Sequence, residues 1–124
     1  MKVIVSGFAN SGTSFITDLI SKMGFSAGSE GNLKGPDEHN RWGYWEHLPI
    51  RLMGRSIIGG RCHFGIPGWI PDEPLPRNDM IAGAILEISE LDNVEVFKEC
   101  AIPLVYKSFP QDAKYVVIKR NPRD

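Results

Sequence analysis

Apolar and polar positions change period several times along the chain, and each change marks an element. Val3-Ile4-Val5 is apolar without alternation, so residues 2–6 read as a strand buried on both faces of a parallel sheet. Over 12–23 the residues Phe15, Ile16, Leu19, Ile20 and Met23 recur at helical spacing. They predict a helix with one buried stripe, stopped by Gly24. The segment 26–42 is polar and glycine-rich, a long loop of the kind that carries function. A second helix is predicted over 48–58 and irregular chain over the proline- and glycine-rich 59–77. A third helix runs from a cap at Asn78 or Asp79 to Leu91, with Met80, Ile81, Ala84, Ile85, Ile88 and Leu91 on its buried face. Residues 94–97, ending at Lys98, read as a second strand, 99–109 as a short helix and 114–119 as a third strand. Strands alternating with helices imply a parallel α/β sheet, whose ligands bind outside the carboxyl ends of the strands. Ser6-Gly7, Lys98-Glu99 and Arg120 all fall at such ends, so three segments should share one rim.

The turn after the first strand adds chemistry to that rim. Gly7 and Gly12 have four residues between them, the spacing of a P-loop, but Thr13 stands where a nucleoside triphosphatase has its lysine. Successive backbone N–H groups and a helix N-terminus can bind a phosphate without that lysine. What is missing is the point charge that reaches the β- and γ-phosphates of ATP. A nucleotide with a 5′-phosphate and a group to transfer from it is the better match. A tight strand-to-helix turn alone would explain both glycines; the polar content of Ser11-Gly12-Thr13-Ser14 argues for the anion.

Composition narrows the partners. The 124 residues suit one domain, 1–124, with one modest core. With 14 basic and 15 acidic side chains the formal charge is −1, which excludes a global attraction to nucleic acid or to an anionic membrane. Anion binding must be local. No apolar run is long enough to span a bilayer and no signal-peptide pattern opens the chain, so a cytoplasmic location is expected. Cys62 and Cys100 are then expected to be reduced thiols. Cys62, His63, His39 and His47 form no metal-ligand spacing, and no metal is expected.

Several phrases together resemble the sulfotransferase family, the P-loop-fold enzymes that use 3′-phosphoadenosine-5′-phosphosulfate. Asn10-Ser11-Gly12-Thr13-Ser14 is similar to the family's loop after the first strand. The stretch from Tyr115 to Asp124, with Arg120-Asn121-Pro122, is similar to its strand ending in Arg-x-Pro. Before that strand, Phe109-Pro110-Gln111-Asp112-Ala113-Lys114 matches a family phrase in part. Gly43-Tyr44-Trp45-Glu46 and Lys98-Glu99 resemble segments of bacterial members. The resemblance covers the two ends of the chain well and the middle in patches.

What it implies is a three-layer P-loop-type parallel sheet with flanking helices, incomplete at its C-terminal side because no covering helix follows strand 114–119. It also implies transfer of a sulfuryl group to a hydroxyl or amine on a small-molecule or glycan acceptor. Ser11, Gly12, Thr13 and Ser14 would hold the 5′-phosphosulfate and Arg120 the 3′-phosphate, a fit for paired charge-assisted bonds. Glu46 would be the base, with His47 next in line, and Lys98 would offset charge on the transferring group. Glu46 in a helix-initial position and Lys98 as a surface lysine are the structural alternatives. Trp42, Tyr44 and Trp45 are candidates for stacking or for the core. The family's basic residue before Ser-Gly-Thr is Asn10 here, an amide that donates without charge, leaving Lys98 or Arg41 to compensate. Two other readings remain open, a non-catalytic nucleotide-binding module and an atypical P-loop kinase. Apolar surface beside strand 114–119 would favour self-association, a homo-oligomer, or a natural form that extends beyond Asp124.

Overall fold

The computed structural model describes residues 1–7, 11–57, 78–91, 93–99, 106–109, 112–119 and 121. Three strands form one parallel sheet: β1 (Val3–Gly7), β2 (Val96–Lys98) and β3 (Lys114–Ile118), in the order β2-β1-β3. The β-branched run of β1 takes the central place, where both faces are covered. Its register sets Val5 beside Lys98 and Gly7 beside Ile118. The carboxyl ends of the three strands therefore lie side by side.

Helices cover both faces. Helix α1 (Thr13–Lys22) packs Ile16 and Ile20 on the face that carries Val3, Val5 and Val96. On the opposite face, α2 (Leu48–Ile57) and α3 (Asp79–Leu91) pack Ile50, Met53, Ile81, Ile85 and Ile88 around Ile4 and Phe97. Alternation along β1 thus feeds two cores, one on each side of the sheet. Asn78 caps α3, its Oδ1 accepting from the Met80 and Ile81 N–H groups at 3.0 and 3.2 Å.

Two expected burial faces are corrected. The predicted stripe of α1 divides: Phe15, Leu19 and Met23 are exposed, while the sheet side takes Thr13, Ile16, Thr17 and Ile20. Threonine is small enough to let the helix approach closely, and the Thr17 hydroxyl is satisfied by donating to the Thr13 carbonyl at 2.8 Å. On α3, Met80 at the first turn is exposed and Ile85 holds the centre of the contact. Of the short helix expected over 99–109, residues 100–105 lie outside the described residues, and Tyr106–Ser108 form a 3-10 turn. The irregular segment predicted over 59–77 and both cysteines lie outside them. Along β3 Tyr115 and Val117 are exposed. No described helix is long and apolar enough to cross a membrane.

Candidate functional site

The site starts at the turn from β1 into α1. Gly12 caps the helix in the left-handed region, at φ 97°, and no side chain caps it. Its conformation is one that a residue with a Cβ adopts only at a cost. By helix geometry the N–H groups of Thr13, Ser14 and Phe15 precede the first intrahelical bond, which runs from Ile16 to the Gly12 carbonyl at 3.1 Å. Gly7 makes the second demand on backbone space. A Cβ there would stand 2.8 Å from Ser11 Oγ and 3.0 Å from Thr13 Cγ2 and the Ile118 carbonyl oxygen. The turn therefore closes directly onto the end of β1.

Lys98 ends β2 and points to the α1 face, in register with Val5. It is only 7% exposed, so it is not a surface lysine. Its ammonium donates to Ser14 Oγ at 2.8 Å and lies 3.5 Å from Glu46 Oε1. Buried lysines need such partners, because desolvating an ammonium is expensive.

Glu46 arrives from the long loop. Leu33 and His47 bridge antiparallel, the Lys34 N–H donates to the Glu46 carbonyl at 2.9 Å, and the Tyr44 N–H donates to the Lys34 carbonyl at 3.2 Å. The loop is thereby pinched at its base. Trp45 sits in the left-handed region at φ 54°, a conformation that costs about 1–2 kcal/mol for a bulky residue. Packing of its indole against the α1-side core offsets that cost. The Glu46 carboxylate is then held between two cations: Lys98 at Oε1, and Arg51 of α2, whose Nε is 2.9 Å from Oε2. That second contact is an ion pair. A last bond closes the site, from the Ser14 hydroxyl to the Tyr44 carbonyl at 3.0 Å.

Beyond Tyr44 the loop carries a second, exposed cluster. The Tyr44 phenol donates to Asp37 Oδ1 and Oδ2 at 2.8 and 2.9 Å, and the Lys34 ammonium lies 3.6 Å above the Tyr44 ring. The phenol's hydrogen bond holds the Asp37 carboxyl below its ordinary range, and Asp37 in turn pushes the Tyr44 phenol up.

Ser14, Glu46 and Lys98 thus meet, with Ser11, Gly12 and Thr13 in the adjoining turn. Asn10 and Arg120 lie outside the described residues. His47 is buried at 1% exposure, with its ring beside Gly28. Arg41 is exposed. Trp45 serves the core, Tyr44 the exposed cluster, and Trp42 stands free in solvent. Arg51 was not legible as a site residue. Its position one turn into α2, just after Glu46, is the signal that pairs them.

This arrangement suits an anion: N–H groups at a helix start, a hydroxyl, and a buried ammonium that can exchange a carboxylate partner for a ligand oxygen. Among the described residues no group of His, Cys, Asp and Glu could hold a metal ion. Comparison of the chain with known protein families, with characterised proteins and with solved structures returned no match.

Proposed function

We propose that the chain is a P-loop-type protein that binds 3′-phosphoadenosine-5′-phosphosulfate across the β1–α1 turn and transfers its sulfuryl group to a hydroxyl or amine. The observation that carries this reading is the meeting of Ser14, Lys98 and Glu46, drawn from three separate segments. The donor set fits a phosphosulfate, since the first turn of α1 offers backbone N–H groups and a hydroxyl, and Lys98 at the end of β2 brings one buried cation to that hydroxyl. When bound, the nucleotide supplies an activated sulfuryl group and a phosphate as leaving group.

The chain's residues then have distinct tasks. The N–H groups from Ser11 to Ser14, with the Thr13 and Ser14 hydroxyls, hold the 5′-phosphosulfate. Lys98 turns from Glu46 toward the charge that develops there, which frees Oε1 to take the proton of the acceptor. Arg51 keeps its hold on Oε2 and so fixes the plane of the carboxylate. Arg120 binds the 3′-phosphate, and Asn10 donates to the leaving group; both roles rest on the motif alone.

A second reading has its own support. Glu46 is engaged at both oxygens, which favours a nucleotide-binding module without turnover. Calorimetric titration with 3′-phosphoadenosine-5′-phosphate, AMP and ATP tests the binding. The bisphosphate should bind tightest, and Arg120→Ala should shrink its advantage over AMP. Equal binding of the bisphosphate and AMP overturns the assignment, and preference for ATP returns the kinase. Release of the bisphosphate from phosphosulfate with an added acceptor, lost in Lys98→Met, separates the enzyme from the module.

A further inference from the structure

The two side chains best placed to hold an anion are both engaged by loop 33–47. The Ser14 hydroxyl donates to the Tyr44 carbonyl at 3.0 Å, and the Lys98 ammonium lies 3.5 Å from Glu46 Oε1 while it donates to Ser14 Oγ at 2.8 Å. A carbonyl and a carboxylate of the protein itself thus take the donors that an oxyanion would need. Neither depends on those donors to keep its place in the loop. The base is closed by the backbone bond from Lys34 to Glu46 and by Trp45 in the α1-side core. The tip is ordered by its own bonds: the Asp37 carboxylate accepts from the His39 and Asn40 N–H groups, each at 2.9 Å, and the Asn40 side chain accepts from the Trp42 N–H at 3.1 Å. Glu46 also has a second cation, with Arg51 Nε 2.9 Å from Oε2. A carboxylate that gives up Lys98 therefore keeps Arg51, and is not left as a buried charge without a partner.

We propose that Glu46 is a built-in competitor that sets the affinity and selectivity of the anion site, and that Arg51 sets how readily it yields. The incoming group is a tetrahedral oxyanion, phosphate or sulfate in its chemistry. It takes Lys98 from Glu46 and the Ser14 hydroxyl from the Tyr44 carbonyl. Such a group reaches the ammonium, the hydroxyl and the helix N–H groups together, which repays the contacts it breaks. A planar monocarboxylate such as acetate brings Lys98 no more than Glu46 already supplies, and is shut out. The inference rests on the anion-binding part of the proposed function and not on the identity of the nucleotide.

The test is calorimetric titration of the full 124-residue chain with inorganic phosphate and with sodium acetate, in the wild type, Glu46→Gln and Arg51→Met. Removing the competitor should tighten phosphate about tenfold and admit acetate. Removing Arg51 leaves Glu46 with Lys98 as the cation it must surrender, so phosphate should bind about tenfold more weakly. Asp18→Asn removes the same charge from α1 away from Lys98, where Asp18 pairs with Lys22, and should leave phosphate within about twofold. The proposal is overturned if the first two variants move phosphate in the same direction or not at all, or if Asp18→Asn matches the gain of Glu46→Gln. Should Glu46→Gln be too unstable to titrate, resonances of the wild type decide. Phosphate should move the Tyr44 carbonyl and Glu46 carboxylate carbons together with the N–H groups of Thr13 to Phe15. Movement of the N–H groups alone, or of neither set, overturns the proposal. If phosphate follows the expected pattern while 3′-phosphoadenosine-5′-phosphate binds no better than AMP, the competitor stands and the nucleotide assignment falls.

Discussion

Two clusters of the same chemical make-up lie on either side of Tyr44. Lys98, Ser14 and Glu46 form a buried set of cation, hydroxyl and carboxylate; Lys34, Tyr44 and Asp37 form an exposed one. Their distances are alike and their surroundings are not. The side chains of Lys98 and Glu46 are 8% and 12% exposed, so each depends on the other to offset lost hydration. The outer three keep water as an alternative partner, and their bonds serve geometry more than stability. The same trio of groups is thus a commitment inside the fold and a convenience outside it.

The largest effect expected from breaking this contrast is at Glu46. Glu46→Gln leaves buried Lys98 and half-buried Arg51 without their shared anion and should cost roughly 3–5 kcal/mol in urea unfolding. Adding Lys98→Met should recover part of the loss, since the two residues are coupled. A loss no larger than that of a surface pair would show that water reaches the inner cluster.

Next comes the turn that the inner cluster serves. Gly7→Ala places a methyl 2.8 Å from Ser11 Oγ and 3.0 Å from backbone oxygen of Ile118, and overpacking of this kind costs about 1–3 kcal/mol. Affinity for 3′-phosphoadenosine-5′-phosphate should fall with it. An unchanged affinity in calorimetry would detach the turn from the nucleotide.

The smallest change is expected in the exposed cluster, and it is best read through pH. Asp37 is held below its ordinary value by the Tyr44 hydrogen bond, so its contribution is present above pH 3.8 and fades as the pH falls through the lowered value. Tyr44 is raised by Asp37, so its contribution is present below pH 10.0 and fades as the pH rises through the raised value. Between these limits the Asp37–Tyr44 contact should be insensitive to pH. Absorbance titration of the phenolate is the measurement: Asp37→Asn should move the Tyr44 transition back toward 10.0. An unmoved transition would mean that the two side chains do not meet.

The sequence made the frame legible where burial writes itself as a run of apolar residues. β1, α2, α3 and β2 fall where periodicity puts them, because each is buried along its length or along one stripe, and β3 falls there too although only Val116 and Ile118 of its apolar run are partly buried. It misled at α1, where apolar residues occupy two adjacent stripes. Nothing in Phe15 or Leu19 says that threonines will face the sheet instead. Ser14, Glu46 and Lys98 were found through motif resemblance rather than period, since single polar residues carry no periodic signal. Arg51 was missed for that reason. The order of the loop tip was readable in principle, because Asp37 and Asn40 are residues that bond nearby backbone N–H groups. A polar, glycine-rich composition hid it.

The place of β1 at the centre of the sheet has a consequence in time. Val3 pairs with Val96 on one side and with Lys114 on the other, so once made, β1 has no strand partner until β2, at 96–98, has followed. At ordinary elongation rates that wait is on the order of ten seconds. Parallel pairings between distant segments also form slowly, because the loop must close before any contact rewards it. An apolar, β-branched segment meanwhile stays open to wrong partners. Slow formation of the sheet is therefore built into the strand order of this protein, independently of how stable the finished fold is.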